Sequence, residues 1–294
     1  MDKKKSLYAD LSLLLVAIIW GSGFVVTKNA LDHMGPYHLL ALRFSLATIL
    51  FSLVFFKRIK NANIKDIKSG IIVGIFLFGG FATQTVGLNY TTAGKQAFIT
   101  ATNVVMVPFI YWALSKKKPD NYDISGAILC FVGIGVLSLD GGTTINYGDF
   151  LTLICAVFFA LHISSVGHFA KDSDALVLTV VQFATAAVLS IICLLIFEPG
   201  AIKIHQETIF PILYLGIIST LIAFLIQNVA QKYTTSTHTA IILSLESVFG
   251  SLLSLIFLKE PFTFRFLIGC MAILISVIIS ETKLKFLKPQ KNIN

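Results

Sequence analysis

Hydrophobic positions along the chain fall in long unbroken runs separated by short polar intervals. Ten runs occur: Leu11 to Thr27, Pro36 to Phe56, Ile67 to Leu88, Gly94 to Ser115, Tyr122 to Leu139, Gly148 to His168, Ala175 to Phe197, Thr208 to Val229, Thr239 to Leu258 and Thr263 to Ser280. Each approaches the roughly 20 residues with which a helix crosses a hydrocarbon core. Runs such as Val177 to Phe197 show none of the apolar and polar alternation of barrel strands, so they predict helices. Turn formers mark the intervals, among them Lys118-Pro119-Asp120, Asp140-Gly141-Gly142 and Glu198-Pro199-Gly200. The pattern predicts an all-α polytopic membrane protein with ten transmembrane helices.

Composition agrees and narrows the class. Residues of the set AVILMFWYC make up 56% of the 294, charged residues only 13%, about half the charged share of an ordinary soluble domain. With 25 Phe and 8 Tyr, disorder and collagen are excluded as well. The net charge of +8 is not spread evenly. With the N-terminus inside, 17 Lys and Arg fall in cytoplasmic segments, from Lys3, Lys4 and Lys5 to Lys283, Lys285, Lys288 and Lys291; five, Lys28, Lys95, Lys203, Lys259 and Arg265, fall at outer ends. That asymmetry predicts a cell-membrane protein with both termini cytoplasmic. The charges alternate with hydrophobic spans and do not form a patch beside aromatic platforms, so nucleic acid is not a predicted partner. The lipid bilayer is, with attraction to anionic headgroups. The first run, although preceded by Lys3 to Lys5, has no small-residue cleavage site after it and reads as a retained helix.

The chain also repeats itself. A slide of 143 residues superimposes Phe81 on Phe224, Gln84 on Gln227, Tyr90-Thr91-Thr92 on Tyr233-Thr234-Thr235, Ala97 on Ala240, Val105 on Val248, Lys116 on Lys259 and Gly126 on Gly269 without a gap. A slide of 139 then matches Asp10 with Asp149, Ala17 with Ala156, Trp20 with Phe159, and Arg43-Phe44 with Gln182-Phe183. Two halves follow, residues 1–140 and 141–294, each with five spans. Five is odd, so the second half enters the membrane from the opposite side. An inverted repeat of this kind is an architecture of secondary transporters.

Trp20-Gly21-Ser22-Gly23-Phe24, Leu42-Arg43-Phe44, Tyr90-Thr91-Thr92-Ala93-Gly94-Lys95 with Pro108 downstream, and Leu245-Glu246-Ser247-Val248-Phe249 followed by Lys259-Glu260-Pro261 resemble the EamA-type members of the drug/metabolite transporter superfamily. The resemblance covers nearly the whole chain. It implies ten helices in two inverted five-helix repeats, a central cavity near the bilayer midplane, and export or exchange of amino acids and other small metabolites. Family members most commonly carry Pro after the ninth-span Glu; Ser247 stands there in this chain, which puts kink-based gating at that point in doubt.

Polar groups inside the spans mark the candidate path, because ionisable groups in hydrocarbon face a cavity or a partner. Arg43 and Glu246 are the two clearest, and their repeat counterparts Gln182 and Asn103 are polar but uncharged. For Arg43 a structural role, bonding helix-end carbonyls, stands beside a transport role. Glu246 is equally open to structural pairing and to proton coupling. Gln96, Thr100 and Asn103, at i, i+4 and i+7, share one helix face with Lys95 at its outer end. Gln84, Gln227 and Asn228 add amides, and Trp20 and Phe159 add aromatics, to a predicted cavity able to hold a small organic solute. Each has a plain alternative: the polar face can bond neighbouring helices, the aromatics can be core residues, and Lys95 can snorkel to the interface. Ser244, Ser247, Ser251 and Ser254 form a small-residue stripe suited to close packing, and Gly70 and Gly74 a G-x-x-x-G pair read as intramolecular packing or a dimer contact, leaving monomer and homodimer both open.

No cofactor or metal is predicted. Cys130, Cys155, Cys193 and Cys270 form no C-x-x-C pair, and the histidines, with His162 alone in mid-span, show no H-E-x-x-H spacing. Ala93-Gly94-Lys95-Gln96 lacks the upstream glycine of a phosphate loop and the Ser or Thr after the lysine. The expected partner is a small-molecule solute, with protons as a coupling ion. The favoured class is a secondary transporter exporting amino acids or similar metabolites by alternating access, against an uncoupled facilitator. An intramembrane enzyme or sensor is the rival class, and it lacks any paired catalytic groups.

Overall fold

A helix occupies each predicted run in the computed structural model, which describes residues 3–115, 118–138, 146–169, 173–200, 204–230, 233 and 236–284. The helices are α1 (Lys3–Leu31), α2 (Pro36–Val54), the short α3 (Phe56–Lys60), α4 (Ile64–Gly87), α5 (Ala93–Ala101), α6 (Asn103–Ser115), α7 (Asn121–Ser138), α8 (Tyr147–Phe169), α9 (Ala175–Phe197), α10 (Gln206–Leu213), α11 (Ala223–Ala230), α12 (Ser236–Phe257) and α13 (Phe264–Thr282). Six are long and apolar enough to cross a membrane: Leu7–Leu31, Pro36–Val54, Ile64–Gly87, Tyr147–Val166, Ala175–Phe197 and the compound Gln206–Gln227. Asn121–Leu137, Ile242–Phe257 and Phe264–Ser280 are shorter apolar helices. The fourth run breaks at Thr102, whose hydroxyl and backbone N–H both turn back to the Ile99 carbonyl. Pro108, one and a half turns on, withholds a further ladder bond.

The eighth run changes register. After Pro211 the backbone winds as a π-helix over Tyr214–Ile222, between α10 and α11. Nine residues of i to i+5 winding is unusual, since such windings occur mostly as single-turn bulges at functional sites.

Cross-helix contacts give the bundle two ends. At the far end, remote from the start of α1, Lys28 near the close of α1 donates to the Leu88 and Thr91 carbonyls beyond α4 (2.5 and 3.1 Å). There the start of α8 packs on the end of α4: a Cβ on Gly148 would stand 2.6 Å from the Gly87 carbonyl oxygen. Thr91 of the Tyr90-Thr91-Thr92 motif donates to Asp149, and Thr92 caps α5. The matching Thr234 and Thr235 lie outside the described residues. At the near end, the start of α7 meets the end of α13 through Lys283, bonded to Asp120 (2.5 Å) and Asp123 (3.1 Å). Slight burial raises the Asp120 carboxyl, but hydrogen bonds from Lys283 and from the Asp123 and Tyr122 backbone outweigh it and hold the group below its ordinary value. Burial likewise lowers Lys283, and its bonds to Asp120 and Asp123 more than offset this, leaving it raised.

Small residues let the helices approach closely. On α4, a Cβ at Gly70 would meet the Val181 side chain at 2.6 Å and one at Gly74 the Gln182 carbonyl at 2.8 Å. The G-x-x-x-G pair thus packs on α9 within the chain. The serine stripe of α12 is buried, and this helix seats against α1 at Gly21 and against α5, where Gly94 approaches Ser254.

Candidate functional site

Six aromatic rings run through the middle of the bundle in an unbroken row. Trp20 of α1 packs on Phe224 of α11 (5.3 Å between centroids), Phe224 on Phe183 of α9 (5.5 Å), Phe183 on Phe44 of α2 (6.4 Å), Phe44 on Phe81 of α4 (5.3 Å), and Phe81 on Phe159 of α8 (5.2 Å). Trp20 and Phe159, paired by the repeat, are therefore the two ends of the row. The Trp20 indole N–H donates to the Ser219 carbonyl on the π-helix (2.9 Å).

Arg43 lies beside the middle of this row. Its side chain is buried, and its guanidinium carbon sits 4.3 Å from the Phe81 ring centroid and 5.7 Å from that of Phe44, within cation–π range. Its Nε–H donates to Thr220 Oγ1 at 2.8 Å. Among the described residues its terminal amino groups make no hydrogen bond. Glu246, half-buried on α12, is near enough for the two opposite charges to attract, without a direct ion pair among the described residues. The counterpart of Arg43, Gln182, is engaged differently: its Oε1 lies 2.8 Å from Nε2 of the buried His162.

The fourth-span face is drawn into helix crosslinks. Gln96, fully buried, donates its amide to the Gln84 carbonyl (2.7 Å) and to Thr152 on α8 (3.3 Å), and the Gln84 amide donates to Thr100 (3.3 Å). Gln96 Oε1 and Asn103 Oδ1 remain buried acceptors without a partner among the described residues. The break at Thr102 falls between Thr100 and Asn103, so the face is continuous only across Gln96 and Thr100. Lys95 stands half-buried in the first turn of α5, the helix that the Glu260 carboxylate caps, and Gln227 is half-buried on α11. The side chain of Asn228 lies outside the described residues.

Two carboxylates, Glu198 of the Glu198-Pro199-Gly200 turn and Glu260 of the Lys259-Glu260-Pro261 motif, have a role beyond the turn and the motif. Glu198, past the end of α9, accepts from the backbone N–H of Tyr37 (3.1 Å) and His38 (3.0 Å) at the start of α2, and its Oε2 lies 2.6 Å from His38 Nδ1. Glu260, past the end of α12, accepts from the N–H of Ala93 (2.7 Å) and Gly94 (3.0 Å) at the start of α5. Each satisfies N–H groups that a helix start leaves unpaired and places negative charge at the positive end of its dipole. A signal was present: both stand in a Glu-Pro pair within two residues of the end of an apolar run. Thr220 was missed, because its role depends on the π winding.

Apolar helices of spanning length, closely packed around a buried arginine and a mid-span carboxylate, have the build of a polytopic membrane transporter. The model of the EamA-like transporter family matches residues 7–139 and again 146–282. The chain belongs to that family. It is 41% identical over 275 residues to an uncharacterized transporter of Archaeoglobus fulgidus, covering 94% of this chain and 86% of the relative. It is 27% identical to a protein of Salmonella typhimurium named a probable amino-acid metabolite efflux pump (91% and 92% covered). One solved crystal structure matches 98% of this chain and 100% of its own at a TM-score of 0.69 and 18% identity, a likeness of fold.

Proposed function

We propose that the chain is a secondary transporter of ten crossings that exports small organic metabolites, amino acids or similar solutes, by alternating access between two inverted halves, residues 1–140 and 141–294. One observation carries this reading. Under the repeat matches Trp20 with Phe159, Phe81 with Phe224 and Phe44 with Phe183, the aromatic row reads the same in both directions. The principal helix packings exchange in the same way: α4 with α8 corresponds to α11 with α1, and α4 with α9 to the π-helix with α2. Such pairing supports a pseudo-two-fold axis between Phe44 and Phe183, the symmetry by which inverted-repeat transporters alternate. The lysine distribution supports cytoplasmic termini in the cell membrane, which makes the far end the outer one. The name of the Salmonella typhimurium relative supports amino-acid metabolites as the solute class.

In this reading Glu246 carries the coupling proton. Purified protein in liposomes is tested for flux against amino acids, drugs, sugars and nucleotide precursors after a thermal-shift screen. Flux of an amino-acid-like solute with pH-dependent exchange is expected, and Glu246→Gln retains binding while losing the pH dependence. Unchanged pH dependence in Glu246→Gln removes the proton role and leaves the uncoupled facilitator; no flux of any solute overturns transport itself. Sidedness is read from a cysteine placed in the Asp140-Gly141 turn, outside the described residues: it reacts with an impermeant reagent from outside the cell, and reaction from inside only reverses the topology.

A further inference from the structure

The π-helix is where polar side chains of the first half grip the second. Trp20 donates to the Ser219 carbonyl, the Ser22 hydroxyl meets the Tyr214 hydroxyl at 2.5 Å, and Arg43 donates to Thr220. Thr220 is fully enclosed, and its own hydroxyl donates to the Leu215 carbonyl five residues back (2.7 Å). With its single proton spent there, the hydroxyl has only lone pairs to offer, and these receive Arg43 Nε. Gly216 completes the seat, since a Cβ there would stand 3.3 Å from the Arg43 carbonyl and 2.9 Å from Leu46.

An arginine held at Nε and backed by the Phe81 face cannot rotate freely. Its two terminal amino groups, without hydrogen bonds among the described residues, are left in a fixed fork, the geometry that matches a carboxylate bidentately. A buried cation whose terminal amino groups have no acceptor is costly. The repeat equivalent, Gln182, is neutral and tied to His162, so the fork occurs on one side of the pseudo-axis only.

We propose that Arg43 binds the carboxylate of the transported solute and that Thr220, presented by the π-helix, is its positioning residue. This rests on the transport reading above and deepens it: the solute class is carboxylate-bearing, and the neutralised amide or ester of the same solute is rejected. The test uses full-length protein in liposomes with leucine and leucinamide, and phenylalanine and its methyl ester, as matched competitors of whichever amino acid the wild type carries. Wild type is expected to favour each free acid, by about tenfold for a charge-assisted hydrogen-bond pair. Thr220→Val, which keeps the side-chain shape, is expected to raise KM for the acid about tenfold and to erase the preference, with Vmax within about twofold. Thr220→Ser, which restores the hydroxyl, brings both back. Equal competition by acids and amides in the wild type overturns the carboxylate site, and Thr220→Val indistinguishable from wild type overturns the positioning role. If Thr220→Val does not fold, the acid and amide are compared by thermal shift on wild type and Arg43→Gln: loss of the acid-specific stabilisation in Arg43→Gln supports the site, and its persistence overturns it. Absence of wild-type flux removes the transport reading and this inference with it, an outcome distinct from flux without acid preference.

Discussion

Phe44 and Phe183 face each other at 6.4 Å across the middle of the molecule, both rings without solvent exposure. Within a bilayer, packing of this kind is held by dispersion contacts and not by expulsion of water, because lipid tails are as apolar as the rings. Truncation of Phe183 to Ala therefore loses mainly the cavity part of a core deletion. We expect destabilisation on the order of 2 kcal/mol, read as a lowered unfolding midpoint in detergent. Phe257→Ala, on a ring 68% exposed, changes stability by less than about 0.5 kcal/mol and leaves the midpoint nearly unmoved. Equal effects at the two positions would contradict the central placement of the row.

Gly21 and Gly135 make a matched pair. A Cβ at Gly21 would stand 2.8 Å from the Glu246 carbonyl oxygen and from the Gly250 nitrogen, backbone atoms that cannot step aside, whereas nothing lies within 4 Å at Gly135. Gly21→Ala should destabilise by about 1–3 kcal/mol through forced separation of α1 and α12. It should also reduce transport, since Glu246 moves with that backbone. Gly135→Ala should be neutral or slightly stabilising, as expected for Gly to Ala in an open helical position. Thermal melts of both variants decide the matter.

At the far end, loss of charge from either glutamate cap should loosen the helix start that it holds. Glu260→Gln keeps the shape and removes the carboxylate, weakening two backbone bonds by about 1 kcal/mol in total. Ser254 is 1% exposed and next to Gly94. Ser254→Cys should therefore be unreactive toward an impermeant maleimide alone and become reactive when combined with Glu260→Gln. Equal reactivity in both backgrounds would show that the cap does not hold that end closed.

Acid and alkali should act on the near end from opposite sides. Asp120 is held below its ordinary value, so its contribution is present above the unfolded carboxylate range and is lost as pH falls through the lowered value. Lys283 is held above its ordinary value, so its contribution is present below the unfolded lysine value and is lost as pH rises through the raised one. Both groups are partly exposed, and the pair contributes less than about 1 kcal/mol. Lys283→Met should lower the melting midpoint slightly between these limits and not beyond them.

The sequence carried the helices well because bilayer helices announce themselves by apolar length, as Ala175–Phe197 does. It also named every ring of the aromatic row except as a row: the matches of Trp20, Phe44 and Phe81 with Phe159, Phe183 and Phe224 were readable, but which ring touches which depends on packing. Gln96 shows the limit of spacing arguments. Its face was legible, yet the amide spends its donors on Gln84 and Thr152, and the Thr102 break interrupts the face before Asn103. Thr220 was hidden for a different reason, since the same residues in an ordinary α winding would point its hydroxyl elsewhere, and only Pro211 hinted at the change.

The glutamate caps have one more implication. Both run from the second half to the first, and the slide that pairs the halves sets Lys117 against Glu260, base for acid. A helix start welcomes an anion and repels a cation, so exchanging the shapes of the two halves does not yield a state of equal energy. Under the proposed alternating access, the bundle is therefore biased toward the form in which the far end is gripped, and that bias gives an otherwise reversible device a resting direction before any solute or gradient acts on it.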